Sequence, residues 1–209
     1  MKFILFVEGH TEDKALPAFL KRWLDVRLPQ PVGIKPVRFE GWAELRREVK
    51  RKAHLYLNSP RASEIIAIIS LFDLYGPTFY PSHITTAGER YDWAKQEIEQ
   101  EVNHPKFRQF FAVHETEAWL LSELDLFPTE VSGGFPGRVI EPETVNLNEP
   151  PAKLLNRLYR DKLRRTYKKV THGKELFDRL NIETAYDKCP KLKELLDEML
   201  KLAIGNAQA

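Results

Sequence analysis

Ile65-Ile66-Ala67-Ile68-Ile69-Ser70-Leu71-Phe72-Asp73 is the stretch that decides the fold. Its apolar run, rich in β-branched and aromatic side chains, reads as a strand buried on both faces, the kind found inside a parallel sheet. The run stops at a carboxylate, and Gly76 turns the chain shortly afterwards. Two further runs repeat the pattern. Phe3-Ile4-Leu5-Phe6-Val7 stops at Glu8-Gly9, and Phe110-Phe111-Ala112-Val113 stops at His114-Glu115, with Glu117 two residues later. Sites in open α/β folds form in the crevice at the carboxyl ends of such strands. Carboxylates converging there repel one another unless a cation or a proton neutralises them. Three strands that end in acids therefore predict a divalent-metal site.

Helices are expected between the runs. Thr11 can cap one that extends through Leu20 and Leu24, with Glu12 and Asp13 in its first turn and Pro17 early within it. Pro31 to Phe39 reads as a strand near an edge, because its prolines cannot donate to a ladder. Leu45, Val49, Ala53 and Tyr56 recur at helical spacing within Trp42 to Leu57. Residues 76–89 form an irregular loop over the expected site, followed by a helix from Tyr91 to Val102. Thr116 to Leu124 reads as a short helix carrying Glu117. Glycines 133, 134 and 137 and several prolines mark 127–150 as a long loop or lid outside the core. Helices then follow over roughly 150–163, 172–181 and 190–203, the last opened by Pro190. The predicted layout is an α/β domain (1–126), the lid (127–150) and a helical C-terminal extension (151–209) packed on the same domain, around a mostly parallel central sheet flanked by helices.

Composition narrows the class. Hydrophobic content of 43% and charged content of 30% suit a globular protein. The initial apolar stretch is too short for a signal or membrane segment, so a cytoplasmic protein with no membrane partner is expected. The single Cys189 excludes an internal disulfide and a multi-cysteine zinc site, and carries no assigned role. Net charge is +2, but residues 151–174 hold nine Lys or Arg against Asp161 alone, a local +8 that leaves −6 for the rest. That segregation predicts an anionic partner.

The acids suit Mg²⁺ or Mn²⁺, hard cations that prefer oxygen ligands, with Glu8, Asp73, Glu115 and Glu117 as the ligand set. Such a metal neutralises charge on a phosphodiester and lowers the pKa of an attacking water. Glu8, Asp73 and Glu117 are the catalytic candidates, Glu8 as ligand or proton-transfer group. Glu117 is preferred to Glu115, which can point instead to the helix it precedes. The plainer reading makes these acids solvated or helix-capping groups; their recurrence at three strand ends favours the site. Gly9 allows a tight turn and lets an anion approach the next helix, although no second and third glycine follow to make a dinucleotide fingerprint. His10 and His114 flank the acids as acid–base or phosphate-contacting candidates, with His10 more simply a surface residue. Lys153, Arg157, Arg160, Arg164, Arg165, Lys168 and Lys169, interleaved with Tyr159 and Tyr167, would hold phosphates and stack bases. A solvated amphipathic helix is the alternative, but an excess of eight charges is large for it.

Together these residues resemble a known pattern. Phe6-Val7-Glu8-Gly9-His10-Thr11-Glu12 resembles the first motif of TOPRIM domains, and Asp73-Leu74-Tyr75-Gly76 stands where that superfamily carries Asp-x-Asp. His114-Glu115-Thr116-Glu117-Ala118-Trp119-Leu120-Leu121 is similar to the third signature of a TOPRIM-like bacterial group, the domain of unknown function 4276 family. Tyr167-Lys168-Lys169, Gly173 and Cys189-Pro190 fit the same group. The resemblance implies a TOPRIM-like, Rossmann-like fold and metal-dependent phosphodiester cleavage of nucleic acid, DNA rather than RNA, in phage defence or DNA repair. It implies Glu8 as the motif-one acid and Asp73 as the first metal-binding aspartate. Tyr75 departs from the pattern, since a tyrosine does not readily replace a carboxylate on Mg²⁺. It could serve as a covalent nucleophile, but topoisomerases carry theirs outside this domain. The departure keeps open a catalytically silent nucleic-acid-binding or regulatory subunit in complex with an ATPase. Phosphoryl transfer on a small nucleotide is a third, less favoured option.

Overall fold

The computed structural model describes residues 1–135, 137, 139–145 and 149–207. Four strands form one all-parallel sheet: β1 (Lys2–Val7), β2 (Gly33–Arg38), β3 (Ile65–Asp73) and β4 (Phe107–Ala112), in the order β2-β1-β3-β4. Helices α1 (His10–Asp25), α2 (Trp42–Leu57) and α3 (Ala87–Val102) alternate with them. The predicted α/β class is therefore observed, with β2 at an edge and Pro36 within it. Only the first eight residues of β3 are buried; Asp73 emerges at its carboxyl end.

From β1 the chain crosses to β2 on one side and then returns to β3 on the other. The order reverses between β1 and β3, and in open α/β sheets the crevice at that reversal is where ligands bind. Val7 is paired with Leu71, so Glu8 and Asp73 leave the sheet side by side.

Alternation along β1 divides the interior into two cores. Phe3, Leu5 and Val7 face α1 and the C-terminal helices; Ile4 and Phe6 face α2 and α3. The C-terminal half contributes α4 (Glu117–Leu120), α5 (Thr129–Ser132), α6 (Pro151–Leu163), α7 (Lys169–Arg179), α8 (Ile182–Lys188) and α9 (Pro190–Ala207). Leu155, Phe177, Leu195 and Met199 are buried in the first core together with Phe19 and Leu20 of α1.

Three local expectations change. Thr11 does not cap α1: Gly9 occupies the N-cap position, and Thr11 is buried inside the helix. The stretch 127–150 is not excluded from the core, because Phe127, Val131 and Phe135 are buried there; Pro136, Arg138 and residues 146–148 of the expected lid lie outside the described residues. Helix α7 starts at Lys169, three residues before the expected start, and α8 was not anticipated. A lysine at a helix N-terminus opposes the macrodipole, which disguises the start in the sequence. Among the described residues, no helix is long and apolar enough to cross a membrane.

Candidate functional site

Glu8 follows β1 directly, and its Oε1 accepts the Asp73 backbone N–H at 2.7 Å, tying the carboxyl ends of β1 and β3 together. Asp73 Oδ1 accepts the Thr116 N–H at 3.1 Å, which fixes the entry to α4 against β3. Glu117, the first residue of α4, is 0% exposed. Glu12, one turn into α1, is also buried, and its Oε1 accepts from the Thr116 hydroxyl at 3.2 Å. The structure thus gathers Glu8, Glu12, Asp73 and Glu117 in one place.

A cation enters this cluster from α7. Lys169 Nζ lies 3.0 Å from Glu117 Oε2, 3.6 Å from Asp73 Oδ2 and 3.9 Å from Glu12 Oε1. Lys169 therefore stands apart from the other six basic candidates, which are all exposed. Among those, Arg157 pairs with Glu149 at 2.6 Å, and Lys153 donates to the Tyr75 hydroxyl at 3.2 Å. Tyr159 and Tyr167 are buried against each other, so the expected base-stacking surface does not form from them.

One ammonium cannot neutralise four enclosed carboxylates. Burial, opposed by the Asp73 hydrogen bond and reinforced by the charge on Glu12, pushes Glu8 up to about 8. Burial likewise pushes Glu117 up to about 7, against the pull of Lys169. Asp73 is raised well above its ordinary range by the same desolvation, with Lys169 opposing and Glu8 adding to it. For Lys169, burial favours the neutral amine, but Asp73, Glu117 and Glu12 outweigh it and keep the ammonium charged. Glu117 Oε1 is buried with no hydrogen-bond partner in the structure. The site therefore has spare negative capacity that protons or a further cation can fill.

Glu115 turns away from the centre. Its Oε2 accepts the Ala152 N–H at 2.8 Å and so caps α6, a helix far along the chain rather than the α4 it precedes. His114 has φ 62°, uncommon for a side chain with a Cβ, while its carbonyl accepts the Tyr75 N–H at 2.8 Å. Its ring is buried, which lowers its pKa and keeps it neutral, and Nδ1 has no partner. His10 is exposed and sits 2.8 Å from Arg38. Gly9 has an extended backbone open to any residue (φ −148°); what it supplies is room, since a Cβ there would lie 2.9 Å from Glu12 Oε2. The sequence reading missed Glu12, treating it as a first-turn acid, and gave Lys169 to the basic face. The signal for Lys169 was a lysine at a helix start, where the dipole disfavours it.

The sequence matches the family described as a domain of unknown function, DUF4276, over residues 7–200. The chain belongs to that family. No curated protein matches it. Among solved structures it is similar to the C-terminal region of the Burkholderia pseudomallei OLD protein, at 16% identity and a TM-score of 0.46, with 95% of this chain and 97% of that chain covered. It is also similar to the C-terminal region of the Xanthomonas campestris pv. campestris OLD protein, at 18% identity and a TM-score of 0.43, covering 97% of each.

The electrostatics of this DUF4276 member make a stability prediction. Glu8 and Glu117 titrate higher in the folded than in the unfolded chain, so folding takes up protons between the two values. Their contribution is fully present below about 4.5 and is lost as pH rises through about 7 for Glu117 and about 8 for Glu8. In the absence of divalent metal, the melting temperature should fall from pH 5 to pH 8.5. Glu8→Gln keeps an acceptor for the Asp73 N–H and should flatten that fall. An equally steep fall in the variant would remove Glu8 as its source.

Proposed function

We propose that this protein cleaves phosphodiester bonds of nucleic acid, DNA rather than RNA, with a divalent metal held by Glu8, Asp73 and Glu117. One observation carries the reading: four carboxylates, Glu12 and Glu117 buried and Glu8 and Asp73 half-buried, converge at the β1/β3 reversal around a single ammonium, and one Glu117 oxygen is left unpartnered. The donors fit a hard cation such as Mg²⁺ or Mn²⁺, which is satisfied by carboxylate oxygens. As the side chains are placed, no three acidic, histidine or cysteine groups among the described residues are arranged to hold a metal ion. Loading therefore requires Lys169 or the carboxylates to shift. When bound, the metal would supply charge neutralisation at the phosphodiester and a more acidic water. Glu12, beside the set, keeps Thr116 and hence Glu117 in position.

The protein groups contribute the rest. Glu8, poised near neutral pH, can hold or pass a proton at its carboxyl oxygens. Lys169 can move its charge from the carboxylates to a phosphate entering the crevice. The exposed Lys153, Arg160, Arg164, Arg165 and Lys168 provide an electrostatic track for the backbone. Resemblance of the motifs to TOPRIM domains supports this chemistry and a setting in phage defence or DNA repair.

A second reading is supported by Tyr75. It stands where the TOPRIM pattern has its second aspartate, and its hydroxyl is engaged by Lys153. A chain with Lys169 as its permanent cation would be a silent binding subunit, with an ATPase as the expected partner. Incubation of labelled single- and double-stranded DNA with Mg²⁺, Mn²⁺ or EDTA separates the two. Metal-dependent cleavage is the expected result. DNA binding without cleavage under any metal would establish the silent subunit.

A further inference from the structure

We propose that the cleft between the 75–85 loop and the start of α3 holds a second backbone phosphate of a polynucleotide, next to the one at the acid cluster. This rests on the reading of that cluster as a nucleic-acid site. The cleft has a volume of about 460 Å³ and is lined by Tyr75, Thr78, Tyr80, Ser82, Thr85 and Arg90, among others, with no carboxylate. That volume lies within the range of about 300–1,000 Å³ typical of ligand sites.

Arg90 is the reason to expect an anion. Its Nε is buried and has no hydrogen-bond partner, and among the described residues its guanidinium makes no ion pair. Its aromatic neighbour is the Tyr80 ring, 5.3 Å away. Glu89, the nearest acid in sequence, is committed to the α3 capping box, where Oε2 accepts from the Thr86 N–H and hydroxyl. A buried donor without an acceptor loses the hydrogen bonds it had with water and gains none, so an arginine left in this state calls for an acceptor from outside. The planar guanidinium suits phosphate, and the aliphatic hydroxyl residues Thr78, Ser82 and Thr85 line the same cleft.

Position ties the cleft to the site. It begins at Tyr75, two residues beyond Asp73, and the Tyr80 hydroxyl donates to the Leu74 carbonyl at 3.2 Å. Phe79 stacks on Tyr80 at 4.8 Å, with Trp93 at 6.0 Å and Trp42 at 6.1 Å from Phe79, so the loop is backed by packed rings. On the rim, Lys153 sits against Tyr75. Two cations, Arg90 in the cleft and Lys153 at Tyr75 on its rim, suit a chain of phosphates better than a single anion.

The test measures binding of a 5′-labelled single-stranded oligodeoxynucleotide by fluorescence anisotropy in EDTA, over a salt series. Arg90→Ala should weaken binding on the order of tenfold and reduce the slope of log K against log salt by about 0.7, the contribution of one single-strand phosphate contact. Arg90→Lys should retain the slope. Melting temperatures of both variants identify any loss of folding. Unchanged affinity and slope in Arg90→Ala, or no binding by the wild type, would overturn the subsite. Displacement by deoxyadenosine monophosphate as strong as by oligonucleotide would overturn the polynucleotide as its ligand. Binding in EDTA is read without cleavage, so an inactive protein that still shows the Arg90 effect sinks the nuclease reading and leaves the subsite standing.

Discussion

Lys169→Met should lower stability by about 2–3 kcal/mol at pH 8 and by clearly less at pH 5. Removing one partner from a buried ion pair commonly costs about 3–5 kcal/mol, because the other charge is left without compensation. The lower figure applies here because 35% of the Lys169 side chain is exposed. Methionine keeps most of the stem and removes only the charge, so packing against α1 changes little. The pH dependence follows from what remains. At pH 5 Glu8 and Glu117, whose values are pushed up to about 8 and about 7, hold protons and no longer need the ammonium. At pH 8 Glu117 and a share of Glu8 are ionised inside the protein with no ammonium beside them. Adding Mg²⁺ or Mn²⁺ should restore the melting temperature of the variant more than it raises that of the wild type, because the competing cation is gone. Chemical denaturation at both pH values, with and without metal, reads all of this. An equal loss at pH 5 and pH 8 would show that Lys169 acts by packing, and no metal rescue would count against a cation site.

The sheet was legible because its cause is local. A strand buried on both faces is apolar almost throughout, and the runs 3–7, 65–72 and 110–113 are, so these strands and their acidic ends could be read directly, although their order in the sheet could not. Asp73 and Glu8 were legible for the same reason. Glu12 was not, since an acid in the first turn of a helix has an ordinary electrostatic explanation, and only the close approach permitted at Gly9 brings it to the cluster. Lys169 lay in a tract whose other lysines and arginines are solvated, and its neighbours Asp73 and Glu117 are distant in the chain. Glu115 ranked behind Glu117 in the sequence only as an acid that can point to the helix it precedes. The difference between them is that the Ala152 amide, at the start of a helix far along the chain, takes one and leaves the other to Lys169. Binary patterning reports which face is buried; it does not report which partner a polar side chain will meet.

The second large effect concerns Asp73, and it separates chemistry from folding. Asp73→Asn should reduce metal-dependent DNA cleavage by on the order of 10²–10³-fold, the scale of losing one charge-stabilising group from an active site. The asparagine Oδ1 can still accept the Thr116 N–H, so α4 and Glu117 stay in place. The variant also removes one of the carboxylates that burial and mutual repulsion drive upward, so its melting temperature should hold or rise at pH 8. Activity falling while stability is kept is what a site strained for function produces, and a merely structural aspartate would give the reverse. Asp73→Ala should lose activity to the same degree but at some cost in stability, because the Thr116 amide loses its acceptor. Calorimetric titration with Mn²⁺ should show saturable binding in the wild type and none in either variant. Cleavage at the wild-type rate by Asp73→Asn would remove Asp73 from the mechanism and, with it, the case for a metal held between β1 and β3.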